Sequence, residues 1–319
     1  MKLEVRNLYK SFGPKEVLKG ISFTAESGKA LGLLGRNGAG KTTAIRIIMG
    51  VLPAGSGEIL LDGKKLDINR VKVGYLPEER GLYPKKPILE QLVYFGQLRG
   101  MTASAAKKSA QALVERLGMQ EYLNKKRKLM TLSKGNQQKI QLAAALITDP
   151  DIVILDEPFS GLDPVNAMLL EEIVRERIEK GNVVLFSSHQ MNYIEEFCDN
   201  IAILNGGQIA LSGGIREIKR GYDRSVILID TQHPEQIEAL CRTIPEIVSG
   251  TEAAGNVVRV QMTSGSCKAE LLRAVGDAQV DIDDFRVYEP SLNDIFVRYT
   301  EGGVSKRDLS YSNMNLLTC

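Results

Sequence analysis

Two stretches far apart in the chain offer amide protons to an anion. The first is "GRNGAGKT", Gly35 to Thr42, which fits G-x-x-x-x-G-K-[ST] at every fixed position. Along Gly35, Arg36, Asn37, Gly38, Ala39 and Gly40, the glycines let backbone N–H groups approach phosphate oxygens. Lys41 can then reach the β/γ-phosphates of a nucleotide such as ATP, Thr42 can ligate Mg2+, and Thr43 closes the candidate nucleotide contacts. The second stretch is "LSKGNQQK", Leu132 to Lys139, which carries no acid and precedes the apolar "IQLAAALI". Ser133 is placed to cap a helix whose open first-turn amides attract an anion.

Acid–base groups follow. "IVILDEP" is an apolar strand ending in two acids: Asp156 can hold Mg2+, directly or through water, and Glu157 can polarise an attacking water. "VVLFSSH" ends in His189, whose neutral imidazole can donate to a γ-phosphate oxygen. Plainer readings exist, since Asp-Glu after a strand is often a helix cap and a lone histidine is often structural. The phosphate loop upstream weights both toward chemistry, because parallel strands converge on one edge. His233, in "TQHPEQ", reads as a surface bystander.

The elements that must position these groups are legible from pattern. Residues 1–30 read as short alternating strands, "KLEVRNL" and "GISFTAE", joined by a turn at "FGPK". "ALGLL", the Gly-rich loop and "KTTAIRIIMG" form strand, loop and helix in the order a P-loop requires. Strands follow at "GEILLDG" and "VKVGYLP", and residues 88–147 turn helical. "DIVILDEP", "NVVLFSS" and "NIAILNGG" return as strands separated by helices, which predicts a largely parallel sheet carrying a helical insertion. Near "KRGYDR" the pattern restarts as alternating strand and helix, an α+β domain of the split βαββαβ kind. The expected domains are 1–220, with the insertion at about 88–147, then 224–302 and a loosely ordered tail at 303–319.

The 319 residues suffice for one large and one small domain; 43% are hydrophobic, 25% are charged, and the net charge is +2. This balance makes no case for nucleic acid as a partner. No window approaches the roughly 20 apolar residues of a membrane span. The N-terminus alternates too regularly for a signal peptide. Cys198, Cys241, Cys267 and Cys319 show no C-x-x-C spacing, so a disulfide framework or zinc site is not expected and a reducing cytoplasm is the default.

The order of these motifs resembles the ATP-binding subunits of ABC transporters over nearly all of residues 1–220. The fold implied is α/β: a RecA-like P-loop NTPase core with an N-terminal antiparallel β subdomain and a helical insertion, followed by a small α+β C-terminal domain. "LSKGN" occupies the family's signature position, and "SGLDP" its D-loop with Asp163 as the acid. The resemblance makes Glu157 the catalytic glutamate and His189 the switch histidine. Phe12 matches the aromatic that stacks on adenine, with strand packing its plainer alternative. Two such subunits pair head-to-tail, so the P-loop of one faces Ser133, Lys134, Gly135 and Asn136 of the other, with two ATP molecules between them. The two anion sites of one chain then belong to different pockets.

Two departures stand out. "GYLPEERG" places Glu78 where the family has a glutamine; an ionised glutamate accepts hydrogen bonds but donates none. Glu78 can still orient Mg2+ or its water. In the signature, Lys134 and Asn136 replace Gly and Gln, and Lys134 either adds charge near a γ-phosphate or points to solvent or a partner. "GYLPEERGLYPK" and "EPSLNDIFVRYTEG" resemble a narrower group, the bacterial ABC-2-type exporters of the sodium-efflux and drug-resistance kinds. The resemblance therefore implies an ATPase that drives a separately encoded integral-membrane permease from the cytoplasmic face of the membrane. The basic run "NKKRK" is a solvated loop or a contact to acidic groups of that partner. The alternatives are a soluble ABC ATPase without a transport role and a non-hydrolysing ATP-binding regulator.

Overall fold

The computed structural model describes residues 1–79, 81–123, 127–160, 162–222 and 224–300. The predicted tail, Arg80, Gly161, Asp223 and the first residues of the basic run, 124–126, lie outside them. Two compact units divide the chain, Met1–Ile215 and a second beginning at Arg216.

The first unit opens with β1 (Lys2–Phe12) and β2 (Lys15–Glu26), an antiparallel pair. Both run beyond the short strands the sequence suggests, because each gains a ladder along its length. The connection is therefore only Gly13 and Pro14, with Gly13 at φ +58°. With β4 (Ser56–Leu61) and β5 (Lys64–Lys65) they form a sheet ordered β2-β1-β4-β5.

Beside it lies the sheet that matters for chemistry, ordered β10-β9-β3-β8-β7-β6. Its strands are β3 (Ala30–Gly35), β6 (Val73–Leu76), β7 (Ile152–Asp156), β8 (Val183–Ser187), β9 (Asn200–Asn205) and β10 (Gln208–Gly214). All pairs are parallel except β9 with β10. Every residue of β3, β7 and β8 is buried, as expected for parallel strands covered on both faces.

Helix α1 (Lys41–Ile48) buries Ala44, Ile45, Ile47 and Ile48 against this core. Between β6 and β7 come α2 (Ile88–Leu98), α3 (Ala103–Arg116) and α4 (Lys134–Leu146), the helical insertion. Then α5 (Pro164–Glu179), α6 (Met191–Phe197) and α7 (Ile215–Arg220) connect the later strands and lead out of them.

The second unit contains β11 (Val226–Asp230), α8 (Pro234–Arg242), β12 (Val248–Ala254), β13 (Val257–Met262), α9 (Lys268–Asp277), β14 (Asp284–Val287) and α10 (Leu292–Thr300). Its antiparallel sheet is ordered β12-β13-β11-β14. Alternate residues Ile227, Ile229, Val258, Val260 and Met262 face Ile237 and Cys241 of α8 and Leu271 and Val275 of α9 in one core. The element order is the split βαββαβ arrangement with a terminal helix added.

Candidate functional site

Because β3, β8, β7 and β6 are parallel neighbours, their C-terminal ends line one edge. Along it come the phosphate loop after Gly35, His189 two residues beyond β8, Asp156 and Glu157 at β7, and Glu78 two residues beyond β6. Four segments separated in sequence thus share one rim, the place where open parallel sheets bind ligands.

The loop is shaped by glycine at the positions that require it. Gly38 and Gly40 have φ of +80° and +112°. A Cβ on Gly40 would lie 2.7 Å from Leu18 Cδ2, so no larger residue fits. The Lys41 ammonium donates to Gly35 O at 2.6 Å, folding the side chain back across its own loop. Burial holds the Lys41 pKa below its ordinary value, opposed by the charges of Glu157, Asp156 and Glu78. Lys41, Glu157, Asp156 and Glu78 therefore feel one another electrostatically. Arg36, Asn37, Gly38 and Thr42 are exposed, and Thr43 is half-buried.

Glu157 sits in the left-handed region at φ +48°, a conformation that costs an acidic residue on the order of 1–3 kcal/mol. Local bonds hold it there. Its N–H donates to Ser187 O at 2.8 Å. Its carboxylate accepts from the Ser188 hydroxyl at 3.0 Å and from the His189 N–H at 2.8 Å. The strained backbone thus turns the carboxylate toward the end of β8. His189 Nδ1 lies 2.7 Å from the same Oε1, while the imidazole is 70% exposed. This geometry amends the expected role of the histidine. A neutral imidazole has one N–H, and against the ionised carboxylate that proton belongs on Nδ1. Donation from Nε2 to a phosphate then requires the imidazolium, or release of Nδ1 from Glu157.

Asp156 is 4% exposed. Burial raises its pKa, and the Glu157 charge pushes the same way. Tyr75, on β6, places its hydroxyl 3.4 Å from Asp156 Oδ2, and burial and the Asp156 charge push that phenol up to about 12. No local motif singles out Tyr75; the β6–β7 pairing brings it to the acid.

At the second anion-seeking segment, Ser133 caps α4 as expected, its hydroxyl accepting from Asn136 N at 3.3 Å. Ser133 and Lys134 are exposed, while Gly135 is buried. A Cβ on Gly135 would lie 3.0 Å from the Asn166 amide nitrogen. Asn166 is in turn tied to Asp163, the N-cap of α5, whose Oδ1 accepts from Asn166 N at 2.9 Å. Gly135 is therefore small in part to admit a residue of its own chain. Phe12 is 47% exposed at the end of β1, with the Lys10 ammonium 5.2 Å from its ring centre; packing within the strand does not account for it.

Two supports escaped the motif reading. Phe159 stacks on Tyr193, ring centres 3.9 Å apart, and both pack with Phe197, joining the segment after Glu157 to the helix after His189. Gln141 of α4, 4% exposed, donates to Pro77 O at 3.2 Å and Glu79 O at 2.9 Å. Its signal was visible as one polar residue inside "IQLAAALI".

Comparisons with known proteins point to one family. A family profile described as "ABC transporter" matches residues 18–160, and one described as "ATP-binding protein DrrA1-3-like, C-terminal domain" matches residues 213–300. An uncharacterised ABC transporter ATP-binding protein of Bacillus subtilis, YhaQ, is 40% identical over 92% of this chain and 97% of its own length. The linearmycin resistance ATP-binding protein LnrL of the same organism is 31% identical over 93% and 98%. Among solved structures, an ATP-binding subunit of an ABC transporter is 29% identical, with a TM-score of 0.63 over 69% of this chain and 92% of that one. With a full phosphate loop, a Glu157–His189 pair and relatives matched almost end to end, the chain belongs to the ATP-binding, ATP-hydrolysing subunits of ABC transporters.

Proposed function

We propose that two copies of this chain close head-to-tail on two ATP molecules and that this cycle drives an export permease encoded separately. The observation that carries the pairing is the start of α4. Its first turn is capped and phosphate-seeking, yet it follows the turn at Leu129–Thr131 and not a strand of the site edge. Val165 and Met168, 76% and 65% exposed on α5 beside Asp163, add apolar surface that a second copy would cover.

In this reading the loop amides and Lys41 hold the phosphates, and Phe12 stacks on the base. Glu157, held by Ser188 and His189, accepts the proton of the attacking water. Asp156 and Thr42 would hold Mg2+, with Glu78 orienting it or its water. The raised Asp156 pKa, which comes first from burial and then from the Glu157 charge, fits a cation there, because three acids share the edge with the one half-buried Lys41 ammonium. When bound, Mg2+ neutralises charge that develops on the phosphates.

Export is favoured by the DrrA-like C-terminal match and by the similarity to LnrL, a linearmycin resistance ATP-binding protein. No helix among the described residues is long and apolar enough to cross a membrane, so the permease would be another chain. A 340 Å³ groove lined by Tyr83, Lys86, Glu90, Gln91 and Tyr94 lies at the start of α2, where the helical insertion would meet that permease. The protein would then work at the cytoplasmic face of the membrane.

Mixing tests the composite site. Lys41→Ala and Ser133→Glu should each be inactive, but their heterodimer keeps one pocket with Lys41 from one chain and Ser133 from the other. The mixture should regain up to about a quarter of wild-type hydrolysis, since half the dimers carry one of two sites. A mixture as inactive as its parts refutes the pairing. Co-purification of the tagged chain from membranes with a polytopic subunit tests the transport half.

A further inference from the structure

Gln141 is a buried amide on the helix that begins at Ser133, and both of its amide contacts cross to the loop after β6. They end on Pro77 O and Glu79 O, the carbonyls that bracket Glu78. Glu78 itself is exposed, and its charge acts on Lys41 and on Tyr75. Glu78 therefore stands on the Lys41 side of the loop, near enough for its charge to act there, while its two neighbours are pinned by α4.

The rest of α4 is fastened to the same strand. A Cβ on Gly74 would lie 2.5 Å from Ala145 O, so β6 and α4 approach backbone to backbone. Arg99 donates to Ala144 O at 3.0 Å and steadies the last turn of α4 from the α2 side. The Gln141 amide supplies one N–H to each carbonyl without burying a charge. Leucine would fill the space and leave both acceptors unpaired, and a carboxylate would oppose them.

We propose that Gln141 is a positioning residue for Glu78. It makes the signature helix and the Glu78 loop one mechanical unit, so that an ATP docking on Ser133 is felt by the Mg2+-side acid of the other pocket. The inference rests on the proposed role of Glu78 at that pocket.

The test is a double-mutant cycle on the full chain: Gln141→Leu, Glu78→Ala, the double variant and wild type. It is read as kcat and KM for ATP in steady-state phosphate release at saturating Mg2+. Gln141→Leu should lower kcat about thirtyfold, the equivalent of losing two ordinary hydrogen bonds' worth of positioning. KM should stay within about twofold, because the Lys41 loop is untouched. Gln141→Glu, which keeps the length and loses the donors, should fall at least as far as Gln141→Leu. Should Gln141→Leu fail to fold, Gln141→Met of similar length replaces it.

If Gln141 acts through Glu78, the double variant is no slower than the slower single variant. Multiplying losses, or a Gln141→Leu enzyme at wild-type kcat beside an impaired Glu78→Ala, overturn the inference and leave the role of Glu78 standing. A Glu78→Ala enzyme at wild-type kcat instead defeats the reading of Glu78 itself, and the inference with it.

Discussion

Replacing Glu157 by Gln separates chemistry from architecture at the water-activating position. The carboxylate accepts three contacts, from Ser188 Oγ at 3.0 Å, His189 N at 2.8 Å and His189 Nδ1 at 2.7 Å. A glutamine of equal length can keep its carbonyl oxygen on the His189 side. Its NH2 then faces the Ser188 hydroxyl, which can turn to accept and already accepts from Gln190 N at 3.0 Å. The network survives, so stability should change by no more than about 1 kcal/mol. Loss of one negative charge beside buried Asp156 acts in the opposite direction. What does not survive is proton acceptance. A positioned general base is worth roughly a hundred- to ten-thousandfold, so hydrolysis should fall about a thousandfold, or ~4 kcal/mol on the barrier. Phosphate contacts remain, and in ATP and Mg2+ the variant should double in mass by light scattering and stay doubled. Turnover within about tenfold of wild type, or a mass that remains that of one chain, would refute the assignment of Glu157.

Lys41→Ala should abolish ATP binding or turnover, and equilibrium binding of a fluorescent ATP analogue checks it; normal turnover would remove Lys41 from the site. Ser133→Glu should still bind ATP through Lys41 while hydrolysis fails, because the new charge opposes the partner's nucleotide; persistent hydrolysis would show that α4 does not meet ATP. Asp156→Asn should abolish Mg2+-dependent turnover and, without nucleotide or Mg2+, melt higher than wild type at neutral pH. The sign follows from the raised folded-state pKa: the folded chain binds the proton more tightly, so wild-type stability falls as pH rises from the ordinary carboxylate value through the raised one. The melting difference should vanish at acid pH, and a variant that melts lower at neutral pH would reverse the sign of this argument.

Much of the site was readable because its parts are local. A loop written G-x-x-x-x-G-K-T, an apolar strand ending in Asp156 and Glu157, and a capping Ser133 each declare themselves within eight residues. What joins them is not local. Tyr75 reaches Asp156 only through the register that sets Leu76 against Leu155. Gln141 reaches the Glu78 loop from more than sixty residues away in sequence, 64 to Pro77 and 62 to Glu79. His189 was legible as a candidate, but its proton bookkeeping was not, since that depends on which nitrogen meets Glu157. The same holds for Gly135, which pattern reading gives to a ligand and packing gives in part to Asn166. In the second unit the alternation of strand and helix was legible from "KRGYDR" onward, while the core that joins β11, β13, α8 and α9 emerges only once those elements pack.

The exposed ring of Phe12 opens an optical route into this protein. The chain contains no tryptophan, so its ultraviolet emission comes from tyrosines alone. Phe12 stands 47% exposed at the end of β1, with the Lys10 ammonium 5.2 Å from its ring centre. Phe12→Trp would therefore place a single indole emitter where a nucleotide base should stack, against a silent background at long wavelength. Its emission should quench on adding ATP or ADP, in the Glu157→Gln variant as well, which makes base stacking measurable without any turnover. An indole whose emission ignores nucleotide at saturating concentration would remove Phe12 from the base site.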